Sequence, residues 1–148
     1  VEKVKDVCKF KKNVHVLLSG WRRQYVISRL QEESIDFTYV ELPDQEVINK
    51  LYNCLDLYIV SSRCEGGPQA IFEASYLKVP IVSTKVGQSH FLSDNCLYDS
   101  KQSLIDETIN LSLASTVYNF DNVKNLEIDK HTKVYDSYMR EIYEKDIH

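Results

Sequence analysis

Short apolar runs alternate with amphipathic segments along most of this chain. The runs are three to five residues long, rich in Val, Ile, Leu and Tyr, and bounded by polar or turn residues, which predicts β-strands. The predicted strands are residues 14–18, 37–40, 57–61, 81–83 and, more weakly, 96–98. Because 57–61 is apolar at nearly every position, we expect that strand to be buried on both faces of a sheet.

Helical spacing of apolar residues fills the segments between and after these strands. The predicted helices are 24–33, one that Asp44 caps, 69–78, 101–117 and 129–143, with a polar break at 119–125 between the last two. Val1, Val4, Val7 and Cys8 also share helical spacing, so the chain begins inside a predicted helix. A doubly wound domain usually opens with a strand. We therefore expect the start to have been separated from a longer polypeptide.

The alternation of strands and helices predicts the α/β class. We expect a Rossmann-like three-layer α/β/α domain, in which a parallel sheet carries helices on both faces through right-handed crossovers. With 148 residues, the chain is long enough for one such domain with a core of its own. Residues 1–148 are therefore predicted to form a single domain.

Composition and charge argue against several functional classes. The net charge is −4 and no long basic block is present, so nucleic-acid binding has no electrostatic support. No apolar run approaches the roughly 20 residues of a transmembrane helix, and the start has no secretory signal pattern. The four cysteines lie far apart without a CxxC pair. This argues against a zinc or disulfide framework and favours a reducing, cytoplasmic location.

The segment 62–73 carries the strongest candidate chemistry. It leaves the buried strand at the carboxyl edge of the predicted sheet, where open α/β sheets bind ligands. Gly66 and Gly67 permit unusual backbone angles and a close approach by a ligand, and Pro68 suits the first position of the next helix. The first free amides of that helix belong to Gln69, Ala70 and Ile71. Such amides, with the positive helix end behind them, favour an anion such as a diphosphate.

Two glutamates flank this turn. Glu73 falls at the edge of the buried face of the helix, from where its carboxylate reaches the crevice and accepts hydrogen bonds from vicinal hydroxyls, such as those of a ribose. Glu65 precedes the helix and stands on the other side of the predicted anion site. The alternative is that Glu73 is a solvated helix residue and Glu65 a loop charge. Cys64 is a weaker candidate, because no histidine is evident as its partner.

Other ligand-binding motifs do not match. The four glycines form no GxGxxG after the first strand, which argues against a dinucleotide-dependent oxidoreductase. No glycine loop is followed by Gly-Lys-Ser/Thr, as a P-loop requires. A receiver-like domain would need an acidic cluster that this sequence lacks.

These residues resemble the donor-binding half of GT-B glycosyltransferases, in particular a large retaining family (family 4-like, group 1). The hallmark of that family is Glu-x7-Glu, which is the spacing of Glu65 and Glu73. The flanking runs 55–62 and 79–87 are similar as well, and the resemblance extends over nearly the whole chain. It implies a C-terminal domain that serves the transfer of a sugar from a nucleotide diphosphate donor with retention of anomeric configuration.

The resemblance implies a role for each predicted site residue. Glu73 would bind the donor ribose, and Glu65 would be catalytic, contacting sugar hydroxyls near the reacting carbon. The diphosphate and sugar would be held by Gly66, Gly67 and the amides of Gln69, Ala70 and Ile71. The base would border the backbone of 40–42, which ends at Leu42. No metal or other cofactor is implied, and the partners are the nucleotide-sugar donor and a saccharide, lipid or other acceptor.

Parts of the family pattern lie outside this sequence. The Arg and Lys that grip the diphosphate would come from a strand and loop before Val1, and the acceptor would be bound by a separate N-terminal domain. We therefore expect the isolated domain to be inactive, and any peripheral membrane association to depend on the other half. Arg22 and Arg23 follow Gly20 and are predicted to begin a solvated helix, with contact to the ligand as the alternative, and His90 is predicted to be a surface residue rather than an acid or base. The alternative function is a non-catalytic nucleotide-sugar-binding or scaffolding module of the same fold.

Overall fold

A computed structural model describes residues 1–66 and 69–126 of the chain, together with 132, 133, 135–137 and 140. It confirms the α/β prediction, because helices alternate with short parallel strands in open, Rossmann-like sheets. The elements in chain order are α1 (Glu2–Phe10), β1 (Val16–Ser19), α2 (Gln24–Glu32), β2 (Phe37–Val40), α3 (Gln45–Asn53), β3 (Tyr58–Val60), α4 (Gln69–Tyr76), β4 (Ile81–Ser83), α5 (Lys101–Asn110) and α6 (Leu113–Val123), with 3₁₀ turns at Gly87–Phe91 and Asp94–Cys96.

The strands form two parallel pairs. β1 pairs with β2 from Val16 opposite Phe37, and β3 pairs with β4 from Tyr58 opposite Ile81. Among the described residues, backbone hydrogen bonding does not join the two pairs to each other. Parallel pairs place the carboxyl ends of all their strands at one edge, so the segments that follow β3 and β4 emerge side by side.

Helix α1 links the elements of both strand pairs. Lys5 lies 2.6 Å from the carboxylate of Glu33 at the end of α2, and Asp6 lies 2.7 Å from Lys101 of α5. Asp6 is buried, and the hydrogen bond from Lys101 holds the pKa of its carboxyl below the usual range. Val7 packs in one hydrophobic cluster with Val82 of β4. α1 is thus fixed against α2 on one side and α5 on the other.

The main core lies between α4 and the β3–β4 pair. Ile71 and Ala74 are fully buried and pack with Val60 and Ile81. Their spacing of three residues places both on one face of α4, as the sequence predicts. The helix ends at Tyr76, Lys78 two residues beyond it has a φ of +57°, and the Val79 amide donates to the Ala74 carbonyl at 2.8 Å. This bond closes the last turn in the manner of a Schellman cap.

Some predicted element boundaries are wrong. The polar break predicted at 119–125 is helical as far as Val123, and the interruption instead falls at 111–112, where Ser112 caps α6. Asn119 is buried because its Oδ1 accepts a hydrogen bond from the Ser93 amide at 2.8 Å. In place of the strand predicted at 96–98, a 3₁₀ turn leads into a single bridge between Leu97 and Ser83. The predicted helix 129–143 lies largely outside the described residues.

Candidate functional site

The segments that follow β3 and β4 meet at the carboxyl edge of their sheet. The Thr84 amide donates to the Val60 carbonyl at 3.1 Å, and the Thr84 hydroxyl donates to the Ser62 carbonyl at 2.7 Å. These two bonds anchor the start of the predicted anion-binding turn. Beyond the anchor, 63–66 is exposed, and Gly67 and Pro68 lie outside the described residues.

Glu73 occupies the side of α4 that faces α3. It is half-buried, and its Oε2 accepts a hydrogen bond from the Tyr52 hydroxyl at 2.8 Å. Tyr52 lies in the last turn of α3 and is only 8% exposed. Burial raises the pKa of Tyr52 well above its ordinary value, with further contributions from Tyr58 and from the Glu73 charge. Tyr52 is therefore a neutral donor throughout the physiological pH range.

Glu65 has a different environment. It is exposed in the turn after β3, and its Oε1 accepts a hydrogen bond from the Ser62 hydroxyl at 2.8 Å. Gly66 beside it does not adopt a left-handed backbone angle, so it does not use here the conformational freedom that a glycine has. A Cβ on Gly66 would meet nothing within 4 Å. The turn thus offers open space next to the Glu65 carboxylate.

Tyr58 lies near both glutamates. Burial is the main reason that the pKa of Tyr58 is raised, and the charges of Glu73 and Glu65 raise it further. The bond with Tyr52 and the charge of Arg23 act in the opposite direction. The charges of the two glutamates and of Arg23 therefore all act on the Tyr58 hydroxyl.

Arg23 lies beside the carboxyl end of β1. Its Nε donates to the Ser19 carbonyl at 3.2 Å. Gly20 has a φ of +104°, and a Cβ added there would lie 2.9 Å from Nη2 of Arg23. Arg23 is exposed, as predicted, but its guanidinium lies against the strand end. The charge of this arginine also acts on the Tyr58 hydroxyl.

The start of α4 presents the predicted amides. α4 begins at Gln69, so the amides of Gln69, Ala70 and Ile71 have no hydrogen-bond acceptor within the helix. The Ile71 side chain is fully buried in the core. Ile71 therefore has only its amide to offer a ligand.

Leu42 lies in the segment after β2. Its side chain is 69% exposed, and its φ is +46°, an uncommon angle for a leucine. Nearby, the Tyr39 hydroxyl donates to the Gly20 carbonyl at 2.9 Å and links the ends of β2 and β1. The backbone predicted to border a base is thus exposed and strained at its last residue.

A cavity of about 780 Å³ opens between α3, α4 and the 88–91 turn. Of the predicted site residues, Gln69 and Glu73 line it, together with Tyr52. The cavity lining does not include Glu65, Gly66, Ala70, Ile71 or Leu42. The structure thus places Glu73 in a cavity wall and Glu65 on an exposed turn.

His90 also lines this cavity. It is exposed, as predicted, and its ring lies 4.3 Å from that of Phe91, which in turn stacks edge-on against Phe72 at 5.3 Å. The contact explains why Phe72 points away from the buried face of α4. Within the part of the chain that the structure describes, no three His, Cys, Asp or Glu side chains come together as metal ligands.

Sequence reasoning missed the tyrosines of this site. Tyr52 belongs to the apolar face of its predicted helix, and Tyr58 to an apolar strand, so the sequence pattern alone predicts a packing role for both. The available signal was chemical, because a buried tyrosine hydroxyl usually finds a partner. Tyr58 in the strand that leads to Glu65, and Tyr52 in the helix before it, are such a signal.

Comparison with known proteins identifies the family of this chain. The structure has no helix, over its described residues, with the length and apolarity needed to cross a membrane. None of the curated proteins compared with the chain matches it. The family described as glycosyl transferases group 1 matches residues 1–113 of the 148. This range includes every strand of the described residues and every predicted site residue. The chain belongs to the group 1 glycosyl transferases.

Proposed function

We propose that this chain is the C-terminal, donor-binding domain of a retaining GT-B glycosyltransferase. The observation that supports the proposal most strongly is the placement of Glu73, half-buried in a cavity wall beside the N-terminus of α4. A carboxylate held there is suited to accept hydrogen bonds from two vicinal hydroxyls, while free helix amides attract a diphosphate. A nucleoside diphosphate carries both groups.

In this proposal, each predicted residue acts on one part of the donor. Glu73 accepts from the ribose hydroxyls, and the amides of Gln69, Ala70 and Ile71, with Gly66 and Gly67, hold the diphosphate and sugar. The base borders Leu42. Glu65 contacts the donor sugar near the reacting carbon, which its exposed position and open surroundings permit.

Arg23 extends the proposed site. Its charge acts on the Tyr58 hydroxyl, as the charges of both glutamates do, and in this proposal its guanidinium supplies the positive charge that a leaving diphosphate requires. Charge stabilisation by arginine and helix amides makes a metal unnecessary in this proposal. The acceptor, whether a saccharide, a lipid or another molecule, would approach the sugar from outside this domain.

Titration calorimetry of the full-length protein with UDP, GDP and ADP tests the proposal. We expect one of the three to bind, and Glu73→Ala to weaken its binding by about 10- to 150-fold, because a charged hydrogen-bond acceptor is worth roughly 1.5–3 kcal/mol. Glu32→Ala is the matched control, because Glu32 is an exposed helical glutamate that pairs with Arg29 on α2.

The outcomes separate the main alternatives. Binding of a diphosphate that is insensitive to Glu73→Ala would contradict the ribose role. Binding without any sugar transfer or donor hydrolysis by the full-length protein would instead favour the non-catalytic module. Absence of binding to all three diphosphates would remove the proposal.

A further inference from the structure

The hydroxyl of Tyr52 holds one of the two carboxylate oxygens of Glu73. Oε2 accepts from Tyr52 at 2.8 Å. Within the described part of the chain, Oε1 accepts no hydrogen bond. Both residues line the same cavity of about 780 Å³. One oxygen is therefore committed to the protein, and the other is left for a partner in the cavity.

Tyr52 is itself held in place. Its ring is 8% exposed and belongs to the core cluster that contains Val60 and Ile71. The ring of Tyr58 packs against it with centroids 5.7 Å apart at 52°. Because the ring is packed against the core in this way, it keeps one rotamer, and its hydroxyl has a fixed position in the cavity wall.

Glu73 has no comparable packing of its own. It projects from the side of α4 and is half-buried. A glutamate side chain can adopt several rotamers. Fixing such a side chain costs about 1–2 kcal/mol in entropy. A hydrogen-bond donor of the protein that fixes the carboxylate before the ligand arrives removes this entropy cost from the binding step.

We propose that Tyr52 is the positioning residue for Glu73, which it orients so that Oε1 accepts from a ligand hydroxyl. The inference rests on the proposed function, because it takes the ligand to be a nucleoside diphosphate with a free ribose. The persistent protonation of Tyr52 supports it, since a neutral phenol stays a donor. Tyr52 does not touch the donor in this arrangement. It acts through Glu73.

The test compares each ribonucleotide with its 2′,3′-dideoxy form. Calorimetry of the full-length protein uses whichever of UDP, GDP and ADP binds most tightly, together with the dideoxy counterpart. We expect a preference of about tenfold or more for the ribose form, and its disappearance in Glu73→Gln. Tyr52→Phe should reduce the preference by about threefold or more while changing the affinity for the dideoxy form by less than about twofold.

Tyr98→Phe is the matched control for a loss of stability. Tyr98 is 1% exposed, and its hydroxyl donates to the Val60 carbonyl at 3.0 Å, so this change also deletes one buried hydroxyl group. Tyr98 is absent from the cavity lining. Tyr98→Phe should therefore lower the melting temperature to a similar degree as Tyr52→Phe and leave the ribose preference intact.

The possible results distinguish this inference from the proposed function. If Glu73→Gln removes the ribose preference and Tyr52→Phe retains it, Tyr52 is not a positioning residue and the proposed function stands. If no diphosphate binds, or if Glu73→Gln retains the preference, both fail. Equal losses of preference in Tyr52→Phe and Tyr98→Phe would also reject positioning, since a general loosening would then explain the change.

A spectroscopic measurement on the unsubstituted protein covers the case in which Tyr52→Phe does not fold. The Tyr52 hydroxyl proton should give a slowly exchanging NMR signal, identified through labelled tyrosine rings and its proximity to Tyr58. We expect this signal to persist when the protein is saturated with the same diphosphate. Its loss on binding would show that Glu73 leaves Tyr52 to reach the ligand, and would overturn the inference.

Discussion

Glu65 and Glu73 are eight residues apart, yet their surroundings differ in nearly every respect. Glu73 is half-buried on α4, and its partner Tyr52 is a core residue of another helix. Glu65 is exposed on a turn, and its partner Ser62 lies three residues away in the same turn. The first carboxylate depends on tertiary packing for its position, and the second depends on local structure.

This difference matches the two roles in the proposed function. A residue that selects a ligand gains from a fixed geometry, because ordering is then complete before binding. A residue that acts on a reacting sugar must be reached from the open side of the site, where acceptor and donor meet. We therefore expect mutations around the half-buried Glu73 to affect stability and ligand selection, and mutations around the exposed Glu65 to affect turnover.

The largest predicted contrast is in stability. Ile71→Ala should lower the free energy of unfolding by about 2–5 kcal/mol, because it opens a void beneath α4 in a core that is fully buried. Cys64→Ala, in the exposed turn beside Glu65, should change it by less than about 0.5 kcal/mol. Urea denaturation of both variants measures the contrast. Similar losses in the two variants would mean that the turn is as well packed as the helix.

The contrast between local and tertiary contacts also explains which features can be predicted from the sequence. The three-residue spacing of Ile71 and Ala74 reports directly on helical packing, so the buried face of α4 is predictable. The bond between Tyr52 and Glu73 is not, because it joins two helices whose relative placement no local pattern encodes. Asn119 is missed for the same reason, since its polar side chain is buried by a partner 26 residues away.

The second contrast is in catalysis. Glu65→Gln in the full-length protein should reduce turnover by about 100-fold, equivalent to roughly 2.7 kcal/mol of activation free energy, and change donor affinity by less than about threefold. The substitution keeps the size of the side chain and removes its charge at the reacting carbon. Initial rates and calorimetry with the same donor separate the two quantities. Turnover equal to that of the parent would remove Glu65 from the catalytic step.

The smallest predicted effect concerns the hydroxyl that holds Glu65. Ser62→Ala deletes the bond to Glu65 and keeps the Ser62 carbonyl that Thr84 anchors at 2.7 Å. We expect turnover to fall by about three- to tenfold, the value of one exposed hydrogen bond to a charge, with stability unchanged within about 0.5 kcal/mol.

Ser61→Ala is the control for this last effect, because Ser61 is the exposed neighbour and its hydroxyl is not bonded to Glu65 in the described structure. If Ser62→Ala and Ser61→Ala both retain full turnover, the local bond does not orient Glu65, and the ligand itself must do so. Glu65 would then be ordered only on binding, whereas Tyr52 orders Glu73 beforehand. The two carboxylates would then differ in when they are ordered as well as in burial. Only the half-buried Glu73 would be in place before the sugar donor binds.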